Sequence, residues 1–119
     1  MRLAVAATPE VALPTLNWLL TSEHDLVRVI SQPDRPSGRG QELHASAVSE
    51  WAKANSIELT TPTAIAEIDA AISDVDLLIT IGYGRILPAT TLSIPTFGCI
   101  NLHFSLLPKY LLPAQVKRV

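Results

Sequence analysis

The sequence predicts an α/β fold in which an open parallel sheet carries helices on both faces. Two observations lead to this prediction. Short apolar runs alternate with segments of helical periodicity along the chain, and the strongest apolar run comes late, at residues 77–81. Such alternation is typical of parallel strands joined by crossover helices. With 119 residues, the chain is expected to form one domain around a single core.

The first predicted strand covers Arg2 to Ala7, a short apolar run followed by the turn-forming residues Thr8 and Pro9. Thr8 is predicted to cap a helix, with Pro9 in its first position and Glu10 in its first turn, where a negative charge complements the helix dipole. An apolar stripe identifies this helix as a cover for the sheet. The stripe comprises Val11, Leu13, Leu16, Leu19 and Leu20.

The remaining elements continue the alternation. In chain order they are a strand at 26–30, a helix at about 47–54, a weak strand at 57–59, a helix within 62–72, and buried strands at 77–81 and 97–102. Right-handed crossovers narrow the arrangement to a Rossmann-like sheet in the strand order 3-2-1-4-5. Ligands of such sheets bind beyond the carboxyl ends of the strands, near the reversal of strand order between the first and fourth strands.

Composition restricts the classes of function. The formal net charge of −2 and the pI of about 5.8 give no overall attraction to nucleic acid or to an anionic membrane. No apolar stretch approaches the roughly 18 residues that span a bilayer, and we expect a cytoplasmic protein that is neither secreted nor membrane-embedded. The single cysteine, Cys99, lies in an apolar run, which favours a small buried hydrophobe over a nucleophile.

Two kinds of bound group are disfavoured by the sequence. The turn after the first strand reads Ala6-Ala7-Thr8-Pro9, without the glycines that let a pyrophosphate approach the backbone, so a nicotinamide cofactor is not expected. The three histidines and the single cysteine show no spacing typical of metal ligands. We therefore predict no metal site.

Two polar side chains stand at the end of the last predicted strand. Asn101 and His103 are two residues apart, and side chains with that spacing point to the same face of a strand. A carboxamide and an imidazole side by side can both donate hydrogen bonds to a developing oxyanion, which is the electrostatic requirement of acyl transfer. The same pattern also fits a capped turn with a satisfied histidine, and the two residues alone leave both interpretations open.

Two further segments are candidates for ligand contact. Residues 32–40 hold two prolines, two glycines and two arginines, which indicates a mobile surface excursion whose Arg35 and Arg39 contact phosphate. A solvated linker is the alternative. Residues 82–88 follow the strongest strand and predict a tight turn whose backbone amides and carbonyls read a flat heterocycle; a plain strand-to-helix turn is the alternative.

Together these motifs resemble the methionyl-tRNA formyltransferase family. The matching segments run in order from residue 1 to about residue 110 and are Thr8-Pro9-Glu10, the loop from Gln32 to Gly40, Tyr83 to Pro88, Gly98 to His103, and Ser105-Leu106-Leu107-Pro108. The Asn-x-His and Ser-Leu-Leu-Pro elements resemble all enzymes that use 10-formyltetrahydrofolate. The loop sequence Gln-Pro-Asp-Arg-Pro-x-Gly-Arg-Gly resembles that of the tRNA enzyme in particular.

The resemblance implies a function for each motif. It implies transfer of a formyl group from 10-formyltetrahydrofolate to the amino group of initiator methionyl-tRNA, for translation initiation, by a monomer without a metal. Asn101 and His103 would be catalytic, and Arg35 and Arg39 would approach the tRNA. The residues implied to hold the folate are Arg85, Ile86, Leu87, Ser105, Leu106, Leu107 and Pro108.

The chain also departs from the family pattern. Ala7 stands where the family usually has glycine, Gln41 and Glu42 stand where basic residues often follow the loop, and similarity is expected to end at about residue 110. Family members further have a catalytic aspartate beyond this region, which orients the histidine, and a C-terminal β-barrel domain that helps to bind tRNA. We therefore expect residues 1–119 to be the N-terminal part of a formyltransferase domain, without the barrel and with little or no transfer activity alone.

Two alternative functions remain open at this point. One is a sibling 10-formyltetrahydrofolate-dependent formyltransferase that acts on a nucleotide, a sugar-nucleotide or a glycinamide amine through the same Asn101 and His103. The loop from Gln32 to Gly40 argues against it. The other is a noncatalytic folate-binding fragment that keeps the half-sheet without the chemistry.

Overall fold

The computed structural model describes residues 1–103 of the chain, and two sheets organise this part. The strands are β1 (Arg2–Ala7), β2 (Asp25–Ile30), β3 (Arg35–Ser37), β4 (Glu42–His44), β5 (Glu58–Thr60), β6 (Leu77–Ile81) and β7 (Cys99–Leu102). The helices are a 3₁₀ turn (Glu10–Ala12), α1 (Leu13–Thr21), α2 (Ala47–Ala54), α3 (Ile65–Ala71) and α4 (Ala89–Leu92).

The main sheet has five strands in the order β5-β2-β1-β6-β7, and all of its pairings are parallel. Counted along the main sheet, this is the predicted order 3-2-1-4-5, which is therefore confirmed. β1 is central, and five of its six residues are buried because both faces of a parallel sheet are covered by helices. The strand order reverses between β1 and β6, and the carboxyl ends of these two strands lie side by side there.

Two apolar clusters occupy the two faces of the main sheet. On one face, Val5 packs with Leu16 of α1 and Trp51 of α2. On the other face, Leu78 packs with Ile68 of α3 and with Tyr83. Consecutive strand residues alternate between the two clusters, as a pleated strand requires. The predicted placement of helices on both faces is confirmed.

The start of the first helix differs from the prediction. Pro9 is extended (φ −81°, ψ 156°), a 3₁₀ turn follows, and the α-helix begins only at Leu13. Thr8 was expected to cap the helix, and that prediction was wrong, because its hydroxyl donates to the Tyr83 carbonyl at 3.0 Å instead. The buried stripe is also narrower than predicted, since Val11 and Leu20 are exposed.

The segment predicted to be an irregular excursion contains a β-hairpin. Its strands β3 and β4 pair antiparallel, with Arg35 opposite His44 and Ser37 opposite Glu42. Every residue of the two strands is exposed. We call residues 35–44 the arginine hairpin. At its base, the side-chain oxygens of Ser31 and Ser46 lie 2.6 Å apart, and Ser46 caps α2 by accepting from the Ser49 amide at 3.0 Å.

The last strand is shorter and more exposed than predicted. β7 begins at Cys99 rather than Phe97, and Phe97 and Ile100 are 66% and 42% exposed. The expectation of a buried strand was therefore wrong for these side chains. Cys99 is half-buried, although it was predicted to be buried. In the described part of the chain β7 pairs with β6 alone, so only one of its edges is covered.

Candidate active site

A cleft of about 770 Å³ opens at the carboxyl ends of β1, β6 and β7. Its walls come from Pro9 and Val11 after β1, from residues 80–87 at the end of β6 and beyond, from Leu92 of α4, and from the end of β7. The lining is largely apolar with a few polar groups, and the volume is that of a typical small-molecule site. The cleft lies at the edge of the sheet where a ligand was predicted to bind.

The turn that follows β6 (residues 82–87) has a shape that glycine makes possible. Gly82 and Gly84 have φ values of +55° and +80°, in the left-handed region that other residues rarely adopt. A Cβ atom on Gly82 would lie 2.9 Å from Pro9 Cγ, closer than two carbons can approach. Glycine at position 82 therefore lets the β6 turn close against the segment after β1 and form one wall of the cleft.

Tyr83 fixes this turn to the neighbouring strand ends. Its carbonyl accepts hydrogen bonds from Thr8 Oγ1 and from Gln32 Nε2, each at 3.0 Å. Because Thr8 follows β1 and Gln32 follows β2, three strand ends are joined at one acceptor. The anchored turn contains Arg85, Ile86 and Leu87.

The Tyr83 side chain is 4% exposed, and its hydroxyl makes no hydrogen bond within the part of the chain that the structure describes. Burial raises the pKa of this hydroxyl, and the neighbouring positive charge of Arg85 opposes that change. A phenol whose pKa is raised stays protonated at neutral pH. The Tyr83 ring packs in the apolar cluster on this face of the sheet.

Asn101 and His103 both line the cleft, as predicted from their spacing. Asn101 lies on β7 directly opposite Thr80 of β6, and Thr80 Oγ1 donates to Asn101 Oδ1 at 2.9 Å. With its oxygen engaged in this way, the Asn101 carboxamide presents its NH₂ group as the remaining donor. Both residues are exposed.

The folate-binding residues predicted after β6 line the same cleft. Arg85 reaches across to the Thr63 carbonyl at 3.4 Å, Ile86 is 94% exposed, and Leu87 is partly buried against the cluster around Tyr83. The remaining predicted residues, Ser105, Leu106, Leu107 and Pro108, lie outside the described residues.

The arginine hairpin does not contribute to the walls of the cleft. Arg35 lies on β3 and Arg39 in the turn that follows, and both side chains are exposed. The structure therefore separates the predicted residues into two groups: a cleft containing Asn101 and His103, and a hairpin carrying the arginines. Gln32 connects them, since it precedes the hairpin and contacts the carbonyl of Tyr83.

Comparison with known proteins identifies the family of the chain. The model of the formyl transferase family matches residues 1–118. The chain belongs to the formyl transferase family. The match extends past residue 110, where similarity was expected to end, and it covers the cleft and the hairpin together.

Individual relatives of this formyl transferase chain are named methionyl-tRNA formyltransferases. The protein from Hydrogenovibrio crunogenus is 42% identical over 99% of the chain, and that from Pseudomonas fluorescens strain SBW25 is 44% identical over 99%. The protein from Acetivibrio thermocellus is 42% identical over 92% of the chain. The chain spans 39%, 38% and 37% of the lengths of these three relatives.

Thr80 and Cys99 of the formyl transferase cleft were not identified as site residues from the sequence. Both line the cleft beside Asn101. Burial raises the pKa of the Cys99 thiol, and the nearby Thr80 hydroxyl opposes that change. Cys99 is therefore a neutral thiol at pH 7. A threonine within the apolar run Leu77–Ile81 was the available signal for Thr80, because a polar residue at the end of a buried strand often faces a site.

Two kinds of feature are absent from residues 1–103, the part of the formyl transferase chain that the structure describes. No helix in this range combines the length and the apolar character of a membrane span. Within the same range, no three side chains of His, Cys, Asp or Glu come together as a metal-binding group.

Proposed function

We propose that this chain is the N-terminal catalytic part of a methionyl-tRNA formyltransferase, which transfers the formyl group of 10-formyltetrahydrofolate to the amino group of initiator methionyl-tRNA. One observation carries the proposal: Asn101 and His103 line the same cleft as the turn containing Arg85, Ile86 and Leu87. This arrangement puts two hydrogen-bond donors next to a site for a flat ligand. The names of the relatives support the same reaction.

The cleft suits the folate in size and chemistry. A volume of about 770 Å³ accommodates a fused heterocycle and an attached aryl group. The apolar lining would cover the ring faces, and the backbone of Arg85 to Leu87 would pair with the polar ring edge. Ser105, Leu106, Leu107 and Pro108 would complete this binding region, as the family resemblance implies.

The reaction needs a stabilised oxyanion. The amine nitrogen attacks the formyl carbon, a C–N bond forms, and the electron pair of the C=O bond moves to oxygen. Asn101 Nδ2 and a ring N–H of His103 would donate to that oxygen. When the intermediate collapses, the bond from the formyl carbon to N10 of the folate breaks and N10 takes up a proton, while the former amine loses one.

The arginine hairpin would contact the tRNA. Arg35 and Arg39 add exposed positive charge to one face of a chain whose net charge is −2, so attraction to phosphate is local rather than global. The antiparallel pairing of β3 with β4 gives the two side chains a defined support. This hairpin is the feature that favours tRNA over a small amine as the acceptor.

The first experiment measures binding. Isothermal titration of the 119-residue chain with 10-formyltetrahydrofolate should give a Kd in the micromolar range, and uncharged tRNA should bind with a strong salt dependence. Absence of folate binding at micromolar concentrations of 10-formyltetrahydrofolate would contradict the proposal. Folate binding with no response to tRNA would favour the sibling formyltransferase, whose acceptor is a small amine.

The second experiment measures catalysis in the protein as the cell makes it. Single-turnover formation of formylmethionyl-tRNA should fall about a hundredfold to a thousandfold in His103→Ala and in Asn101→Ala, which is the usual cost of losing one oxyanion donor. His24→Ala is the matched control, because His24 precedes the amino end of β2 and does not line the cleft. This variant should retain the wild-type rate. Equal rates in all three variants would exclude this catalytic role, and folate binding without any product would favour a noncatalytic protein.

A further inference from the structure

We propose that Thr80 is a positioning residue, whose hydroxyl holds the Asn101 carboxamide with its NH₂ group toward the reacting formyl oxygen. The inference rests on the proposed function and extends it to a residue that does not itself touch the substrate. It starts from the cross-strand contact in which Thr80 Oγ1 donates to Asn101 Oδ1 at 2.9 Å.

The Asn101 carboxamide has two orientations that differ in hydrogen bonding but hardly in shape. The two ends of an Asn side chain have nearly the same size and opposite hydrogen-bonding character, since the oxygen accepts and the nitrogen donates. A half rotation about the last side-chain bond therefore exchanges a donor for an acceptor at little steric cost. With the oxygen toward the substrate, Asn101 would repel a developing oxyanion instead of stabilising it. Catalysis by Asn101 thus requires a group that selects one of the two orientations.

Thr80 can make that selection because of its register. It lies directly opposite Asn101 in the parallel pairing of β6 with β7, so the two side chains leave the same face of the sheet. Threonine is branched at Cβ, which restricts its χ1 rotation and keeps the hydroxyl in place. A hydroxyl can donate to the amide oxygen or accept from the amide NH₂ group, and in this structure the Thr80 hydroxyl donates to the oxygen.

Among the residues that the structure describes, the Cys99 side chain is a second group close to the Thr80 hydroxyl. Burial keeps this side chain as a neutral thiol, and its sulfur lies 3.7 Å from the Ile100 carbonyl, toward which it donates. A thiol sulfur is a weak acceptor compared with an amide oxygen. The Thr80 hydroxyl therefore donates to the Asn101 amide oxygen rather than to the thiol.

The test uses the 119-residue chain with three substitutions at position 80. Thr80→Val removes the hydroxyl and keeps the branched shape, Thr80→Ala is a second variant without a hydroxyl, and Thr80→Ser restores it. Thr60→Val on β5, at the far edge of the sheet, is the matched control. Circular dichroism selects the folded variants for measurement.

The first readout is the pair of side-chain NH₂ resonances of Asn101 in a ¹⁵N–¹H spectrum, assigned by their loss in Asn101→Ala. Thr80→Val and Thr80→Ala should move these resonances, whereas Thr80→Ser and Thr60→Val should leave them near the wild-type positions. Unchanged resonances in both hydroxyl-free variants would overturn the proposal. This readout needs no folate, and it decides the positioning contact even if the proposed function fails.

The second readout is the ratio of the affinities for 10-formyltetrahydrofolate and tetrahydrofolate, which isolates the contribution of the formyl group. Thr80→Val should lower the ratio by about threefold to tenfold, the range of one hydrogen bond, without changing the affinity for tetrahydrofolate. Thr80→Ser should restore the wild-type ratio. In an Asn101→Ala background, Thr80→Val should leave the ratio unchanged. Loss of affinity for both ligands alike would show a structural role and overturn the proposal. If even the wild-type chain bound neither ligand, the proposed function itself would be contradicted.

Discussion

Gln32 donates from its side-chain nitrogen to the carbonyl of Tyr83 at 3.0 Å, which joins the base of the arginine hairpin to the turn that forms the cleft. The same carbonyl accepts from Thr8 Oγ1 at 3.0 Å. Two donors from two different strand ends thus satisfy one acceptor. The shape of the cleft depends on contacts made by residues distant in sequence, and this dependence gives the first prediction.

Removing both donors should cost more than the sum of removing each. Gln32→Met or Thr8→Val alone leaves the Tyr83 carbonyl with one partner, and each should lower the free energy of unfolding by about 1 kcal/mol. The double variant leaves a partly buried carbonyl unsatisfied, which adds a desolvation penalty of about 1 kcal/mol or more. Urea unfolding of the four proteins measures the coupling. If the loss in the double variant equalled the sum of the two single losses, the two contacts would not be coupled through the Tyr83 carbonyl.

Glycine at position 82 should be required for stability. Gly82→Ala places a Cβ atom 2.9 Å from Pro9 Cγ at a φ of +55°, and both effects oppose folding. We expect a loss of roughly 1–3 kcal/mol in the free energy of unfolding. Gly40→Ala is the matched control, because its Cβ would approach nothing closer than 3.6 Å, and it should change stability by less than about 0.5 kcal/mol. Equal effects of the two substitutions would contradict the described turn.

The arginines of the hairpin should determine the salt dependence of tRNA binding. If Arg35 and Arg39 each contact a phosphate, Arg35→Ala and Arg39→Ala should each reduce the slope of log K against log salt concentration by about 1. Lys53→Ala on α2 is a control for the removal of one positive charge, and it should leave the slope unchanged. Filter binding at several salt concentrations gives the slopes. Indistinguishable slopes for the three variants would assign tRNA contact to another surface.

A charged network at the opposite, amino-terminal end of the sheet predicts a dependence of stability on pH. Asp74 accepts from Arg28 Nη1 at 2.8 Å and from Arg2 Nη2 at 3.0 Å. The hydrogen bond from Arg28 is the main cause that lowers the pKa of Asp74 below its ordinary value. Because the folded-state pKa lies below the unfolded-state value, the ion pair stabilises the protein above about pH 4 and stops doing so as the pH falls through the folded-state pKa.

Asp74→Asn should therefore destabilise the protein at pH 7 and have a diminishing effect as the pH falls below about 4. Since Asp74 is about half exposed, the expected loss at pH 7 is at most about 1 kcal/mol. Glu23→Gln, at an exposed carboxylate, controls for the loss of one negative charge. The measurement is the free energy of unfolding in urea at several pH values. A difference between Asp74→Asn and wild type that stays constant from pH 7 to pH 3 would contradict the described ion pair.

The sequence predicted most of the main sheet because its strands are apolar runs. Leu77–Ile81 was predicted with the observed bounds, as was Arg2–Ala7, since both strands are buried between helices. The cleft could also be located, because the predicted strand order places the end of β6 beside those of β1 and β7. Asn101 and His103 followed from their spacing at the end of β7.

The features that the sequence did not predict depend on non-local contacts or lack a hydrophobic signal. The hydroxyl of Thr8 satisfies a carbonyl 75 positions away along the chain instead of the adjacent helix end, and no local pattern encodes that choice. The arginine hairpin is fully exposed, so it has no apolar alternation by which its strands could be identified. The positioning contact of Thr80 depends on the register of β6 against β7, which the sequence alone does not define.

The position of the formyl donor can be measured by ¹⁵N–¹H spectra of the chain titrated with 10-formyltetrahydrofolate. We predict that the backbone amides of Arg85 to Leu87, the side-chain NH₂ of Asn101 and the ring of His103 shift together with a single Kd. The indole resonance of Trp51, whose Nε1 donates to Asn17 at 2.8 Å outside the cleft, should not move. Shifts confined to the arginine hairpin, or no shifts at all, would contradict the central claim that this cleft holds the formyl donor.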